Sequence, residues 1–269
     1  MDDYVTDESV GFEFDIIKNE NTIAVLIPCM NMSDRFQETY KSLISQSYSN
    51  WHGFFINSGK STEDLKRVID EMNNKYGNKL KFFQHYGKGY CGEMFEGIYN
   101  YVQDYNYFVI FTADDYWLSY KLEYQMKIAK EKDKCIFISG GFARINSQQF
   151  RDDIMICDIP NQVSINPLTI KKRCHGQHAS TFFFDRECLM RKEPENGFCN
   201  LKYNLSWDWE FLIECYRAGI PMYQTGPILS YYTVDLSLTN NMSKAERHKY
   251  NEQNMRCNEY EFVGKEVKK

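Results

Sequence analysis

The chain has 269 residues, 43% hydrophobic and 26% charged, with a formal net charge of −5 and a pI near 5.6. That length accommodates one sizeable α/β domain with a small appendage, and the acidic balance excludes the broad basic surface that duplex nucleic acid selects. No stretch approaches eighteen consecutive apolar residues and the N-terminus has no basic-then-apolar leader. The expectation is a soluble, cytoplasmic protein without a transmembrane segment, compatible with peripheral membrane attachment and with homo-oligomerisation. Nine scattered cysteines with no CxxC pair fit reduced, buried thiols better than a disulfide framework.

Residues 1–20 begin acidic and carry a short amphipathic piece from Phe12 to Ile17, expected to form a loosely attached arm. A first buried strand, Ile23 to Ile27, ends at Pro28. Asp34 and Gln37 can cap a helix with the apolar stripe Phe36, Tyr40, Leu43 and Ile44. Trp51 to Ile56 is a second strand, followed by the loop Asn57 to Lys60 and a helix with Leu65, Val68, Ile69 and Met72 on one face and Gly77 at its end. Leu80 to Phe83 opens a third cycle, with the glycine-rich loop Gly87 to Gly92 and a helix bearing Phe95, Ile98, Tyr99 and Val102.

The fourth cycle holds the most informative stretch. Tyr107 to Thr112 reads as a strand buried on both faces that stops at two adjacent carboxylates, Asp114 and Asp115, before a helix begins near Ser119. Strand Cys135 to Ser139 closes this regular alternation at Gly140-Gly141. The pattern predicts right-handed βαβ units on a mostly parallel sheet flanked by helices. Beyond it lie a strand at Ser180 to Phe184, a helix from Trp207 to Ala218 stopped by Gly219, short strands near Met222 to Gln224 and Ile228 to Tyr232, and a charged C-terminal helix over 241–269. The main domain is expected over 21–240.

Parallel strands present their carboxyl ends on one side, so the loops 28–34, 57–62, 87–92 and 112–117 should converge there, where open α/β sheets bind ligands. Helix N-termini and glycine amides suit phosphates, and carboxylates with phosphate oxygens suit Mg²⁺ or Mn²⁺. Asp114-Asp115 also fits a plain polar turn that caps the next helix. No loop matches a dinucleotide fingerprint or a P-loop.

The set Ile27-Pro-Cys-Met-Asn31, Ser45-Gln-Ser-Tyr-Ser-Asn-Trp51, Asn57-Ser-Gly-Lys-Ser-Thr62 and Ala113-Asp-Asp-Tyr-Trp117, with Lys121, Leu122 and Gln125, resembles glycosyltransferase family 2. The resemblance implies a GT-A fold with a nucleotide-binding half to about residue 115 and an acceptor half beyond, and an inverting transferase that moves a sugar from a nucleotide diphosphate donor to a hydroxyl of a glycan or glycoconjugate, as in polysaccharide biosynthesis, assisted by Mn²⁺ or Mg²⁺. It also implies that Pro28, Cys29, Met30, Asn31, Asn57, Ser58, Ala113 and Asp114 line the nucleotide site, with Asn57-Ser58 standing where the family usually has an acidic pair. Asp114 is then the metal-contacting carboxylate, with Thr112 standing where the first acid of the metal motif would be. Asp115 and Trp207 face the donor sugar, and Asp235 is a second metal candidate. Asp208 is the general base, with Glu210 as competitor; a carboxylate within reach of the acceptor hydroxyl can take its proton as the new C–O bond forms. Asp208 also fits a simple helix start, where acidic residues favour the positive end. Two other readings keep the fold: a binding module without turnover, and a nucleotidyltransferase, which would use a glycine-rich first loop where Ile27 to Asp34 has no glycine.

Overall fold

The computed structural model describes residues 5–9, 11–29, 36–59, 62–87, 91–132, 136–145, 155–156, 178–190, 207–233 and 242–259. Strand β1 is Val5–Asp7, β2 Ile23–Cys29, β3 Trp51–Asn57, β4 Leu80–His85, β5 Tyr107–Ile110, β6 Tyr116–Trp117, β7 Phe137–Ile145, β8 Met155–Ile156, β9 Phe183–Asp185 and β10 Met222–Thr233. Helices α1 (Phe36–Ile44), α2 (Thr62–Tyr76), α3 (Cys91–Val102), α4 (Lys121–Glu131), α5 (Arg186–Met190), α6 (Trp207–Arg217) and α7 (Lys244–Glu259) connect them, with a 3₁₀ turn at Ala179–Thr181.

The strands form one mixed sheet in the order β1-β4-β3-β2-β5-β9-β7-β10-β6, with β8 beside β7. Its centre, β4-β3-β2-β5, is parallel. β9 enters antiparallel between β5 and β7, and β7 pairs in parallel with β10. The seven residues of β2 are all buried, as a two-sided strand requires. Its alternation sends Ala24 and Leu26 into a core with α3 and α6, and Ile23, Val25 and Ile27 into a core with α1, α2 and α4. The result is a three-layer α/β/α architecture.

The helix stops follow the glycines. Gly77 and Gly219 both take positive φ, +91° and +72°, and the Ile220 N–H returns to the Cys215 carbonyl at 3.1 Å, satisfying a carbonyl that the end of α6 leaves open.

Four expectations change. The N-terminal segment is not loose: β1 adds an edge strand against β4, and Phe14 stacks on His52 at 3.8 Å between ring centroids. The His52 ring nitrogens meet the Tyr105 hydroxyl at 2.5 Å and the Ile16 carbonyl at 2.6 Å. Gly140-Gly141 does not end a strand, because β7 runs through it to Ile145. A Cβ at Gly140 would lie 2.1 Å from Leu229 Cδ1, so glycine there allows close approach to β10. The two short strands at 222–232 are one strand, β10, whose register against β7 shifts between Gln224 and Ser230. Finally, β5 ends at Ile110, since Thr112 turns aside to bond with the loop that follows.

Candidate active site

Chain order places β3 and β4 on one side of β2 and β5 on the other, so the topological switch lies between β2 and β5. The two strands pair from Ile23↔Tyr107 only to Leu26↔Ile110. The Cys29 carbonyl accepts from the Ser58 N–H on the β3 side. Pro28, one residue earlier, therefore directs its N–H-less nitrogen to the side where β5 has already parted, and no ladder bond is lost. In open α/β sheets the ligand crevice lies where strands part in this way, which here is at the ends of β2 and β5 beside the turn after β3.

Asp115 is fully buried. Its Oδ2 accepts from the Thr112 hydroxyl and from Ser180 Oγ at 2.6 Å, and its Oδ1 accepts from the Thr233 N–H at 3.2 Å. Both oxygens of Asp115, the donor-sugar candidate, tie together the 112–115 loop, the 3₁₀ turn and the end of β10. Asp114 is the freer neighbour: its carboxylate is met by its own backbone N–H. Burial pushes the carboxyl pKa of both residues upward, and for Asp114 the adjacent Asp115 charge adds to it.

The other half of the site is Asp208, in the first turn of α6, where its Oδ1 accepts from the Trp209 N–H at 2.8 Å. Burial raises its pKa, opposed by that N–H and by the field of His178. His178 also lowers the pKa of Asp114, and its Nδ1 stands 3.5 Å from Asp115 Oδ2. One imidazole, packed on Tyr232 with ring centroids 4.4 Å apart, thus lies within electrostatic reach of Asp114, Asp115 and Asp208. The one sequence signal for His178 was its position two residues before the apolar stretch Ser180 to Phe184, whose first residues form the 3₁₀ turn and not a strand. Glu210, the alternative base, is only 2% exposed.

On the nucleotide side, Cys29 and Pro28 are buried in β2. Asn57 is buried and its amide is engaged: Nδ2 donates to Gln84 Oε1 at 2.8 Å and to the Gly59 carbonyl at 3.3 Å, and Oδ1 accepts from the Gly59 N–H at 3.0 Å. These bonds hold the turn after β3. Ser58 Oγ, by contrast, is buried without a partner among the described residues. The Ala113 carbonyl accepts from Thr39 Oγ1 at 3.0 Å, and Trp207 packs edge-on against Phe95, with ring centroids 5.7 Å apart. Met30, Asn31 and Asp235 lie outside the described residues.

A hard divalent cation fits Asp114 in part. Two adjacent buried carboxyls whose pKa values are raised call for positive charge, and oxygen is the right donor. No group of three metal-binding side chains occurs among the described residues, so such a cation would take its remaining ligands from phosphate oxygens and water. No helix among the described residues is long and apolar enough to cross a membrane.

The chain matches the family described as "Glycosyl transferase family 2" over residues 24–194. No curated protein matches it. Among solved structures it is similar to S. aureus TarS 1–349 in complex with UDP-GlcNAc, at 14% identity and a TM-score of 0.63, covering 87% of this chain and 64% of that one. It is similar to TarS 1–349 without that ligand at 15% identity and a TM-score of 0.60, covering 79% of this chain and 60% of that one. For the longer S. aureus TarS the identity is 14% and the TM-score 0.61, covering 90% of this chain and 44% of that one. The chain therefore spans less than two thirds of the structures it resembles, and at this identity the likeness shows the shared GT-A-type fold.

Proposed function

The chain belongs to glycosyl transferase family 2, and from that premise we propose that it moves a sugar from a nucleoside diphosphate donor to a hydroxyl of a glycan or glycoconjugate, with inversion at the anomeric carbon. The observation that carries this reading is that His178, 3.5 Å from Asp115, lies within electrostatic reach of both Asp114 and Asp208 beside the sheet's switch point. The family match and the printed ligand of a similar structure, UDP-GlcNAc, support a nucleotide-sugar donor.

In this reading the diphosphate lies over the parted ends of β2 and β5, with the nucleoside toward Cys29 and Ser58. A bound Mn²⁺ or Mg²⁺ would neutralise charge on the departing diphosphate. Asp114 faces that cation. Asp115 holds the loop that aims Asp114, through its bonds to Thr112, Ser180 and Thr233. Asp208 takes the proton of the acceptor hydroxyl, and its raised pKa brings it nearer the range where a base works at neutral pH. A single displacement with the base opposite the leaving group inverts the reacting carbon. Met30 and Asn31 are assigned to the nucleoside and Trp207 to the donor sugar, and Asp235 is a further candidate for the cation.

Incubation with a panel of nucleotide sugars and Mn²⁺ should release a nucleoside diphosphate. Asp208→Asn should lower transfer by about 10²–10⁴-fold, the usual contribution of a general base, while leaving donor affinity intact; full turnover in that variant would move the base elsewhere. A binding module without turnover, favoured by Thr112 in place of a second acid at the metal site, would bind donor and release nothing.

A further inference from the structure

Lys121 opens α4 and is entirely shielded from water. Its Nζ donates to Gln125 Oε1 at 2.7 Å and sits 3.9 Å from the centroid of the Trp117 ring. One amide oxygen and one ring face return less than the hydration an ammonium gives up, and burial holds its pKa well below the ordinary lysine value. A methionine would fill the same space at lower cost. The lysine therefore has a directional task.

That task is legible in what Gln125 does next. The Thr181 carbonyl only accepts, so Gln125 turns Nε2 toward it at 2.7 Å and presents Oε1 to the Lys121 Nζ, which donates. Thr181 belongs to the 3₁₀ turn, where its N–H and hydroxyl both return to the His178 carbonyl, at 2.8 and 2.7 Å. The neighbouring Ser180 donates to Asp115. A continuous chain thus runs from the start of α4, through Gln125, to the turn that carries both His178 and the anchor of Asp115.

We propose that Lys121 is a positioning residue for the donor site: through Gln125 it fixes the Ala179–Thr181 turn, and with it the Ser180–Asp115 bond and His178, so that Asp114 is aimed into the crevice. The inference rests on the donor reading above. It departs from a purely structural role in one respect: removing the lysine should harm ligand binding without harming the fold.

Lys121→Met in the full chain, with UDP and Mn²⁺ as probe, separates the two. Thermal stability should be retained or rise, amide exchange at Thr181 and Phe182 should quicken, and UDP–Mn²⁺ affinity by calorimetry should fall about tenfold, as expected for residues that support a ligating group from behind. Wild-type affinity with wild-type exchange overturns the proposal, whatever the melting temperature. Should Lys121→Met not fold, Gln125→Met cuts the same link. Its effect on UDP–Mn²⁺ affinity should be non-additive with that of Ser180→Ala, and additive effects would overturn the proposal. If the wild type binds no UDP–Mn²⁺, the donor reading fails, and the exchange measurement still decides whether Lys121 holds the turn.

Discussion

Neutralising Asp114 should stabilise the ligand-free protein and remove its response to ligand. The carboxyl is buried beside the Asp115 charge, and both effects raise its pKa above the unfolded value. A group whose folded pKa is raised binds protons more tightly when folded, so an acid of this kind loses stability as the pH rises through its folded pKa. Each unit of such a shift is worth about 1.4 kcal/mol. For one partly accessible carboxyl, a gain on the order of 2 kcal/mol for Asp114→Asn at pH 7.5 is expected, or about 4–8 °C in melting temperature for a chain of this size. The gain should shrink as the pH falls from the folded pKa toward the ordinary carboxylate value of 3.8, and vanish well below it, where the wild-type carboxyl is protonated in both states. With UDP and Mn²⁺ at about a hundred times the dissociation constant, the wild type gains about 2.7 kcal/mol by linkage, and the variant gains little. The order of the two melting curves should therefore reverse on adding ligand. A variant less stable than the wild type without ligand, or an equal ligand-induced shift in both proteins, would refute the reasoning.

His52→Phe keeps the stack on Phe14 but strands the Tyr105 hydroxyl and the Ile16 carbonyl, so urea unfolding at pH 7.5 should show a loss of about 2 kcal/mol. Burial lowers the His52 pKa below 6.5; its contribution is full above that value and fades as the pH falls beneath it, so the gap between wild type and variant should narrow at pH 5.5 and a constant gap would contradict the assignment. Asn57→Asp should cost on the order of 2 kcal/mol in the same assay, because a carboxylate would face the Gln84 and Gly59 oxygens that the amide now serves. Unchanged stability would return Asn57 to the role of a base reader.

The parallel centre of the sheet was legible because its strands are continuous apolar runs and its helices carry single apolar faces. Ile23 to Ile27 and the Leu65-Val68-Ile69-Met72 stripe each have one stable placement. Gly77 and Gly219 were readable as stops for the same local reason. Past residue 140 the signals weaken. Whether Gly140 ends a strand or lets two strands approach depends on Leu229, almost ninety residues away, and no local pattern carries that. The antiparallel entry of β9 beside β5 is likewise set by long-range packing. At the site, the chemical types Asp114, Asp115 and Asp208 could be read, but not their division of labour. Which of two adjacent carboxylates turns inward is decided by Thr112, Ser180 and Thr233, two of them distant in sequence, and the approach of His178 to Asp115 exists only once the sheet is assembled.

The most direct test of the central claim is a crystal grown with Mn²⁺ and UDP, using the anomalous signal to locate the metal. The account predicts one manganese about 2.0–2.4 Å from an Asp114 oxygen, bridging two phosphate oxygens, with Asp208 facing it across a gap that admits a sugar. Manganese bound away from Asp114, or packed protein between the metal and Asp208, would contradict it.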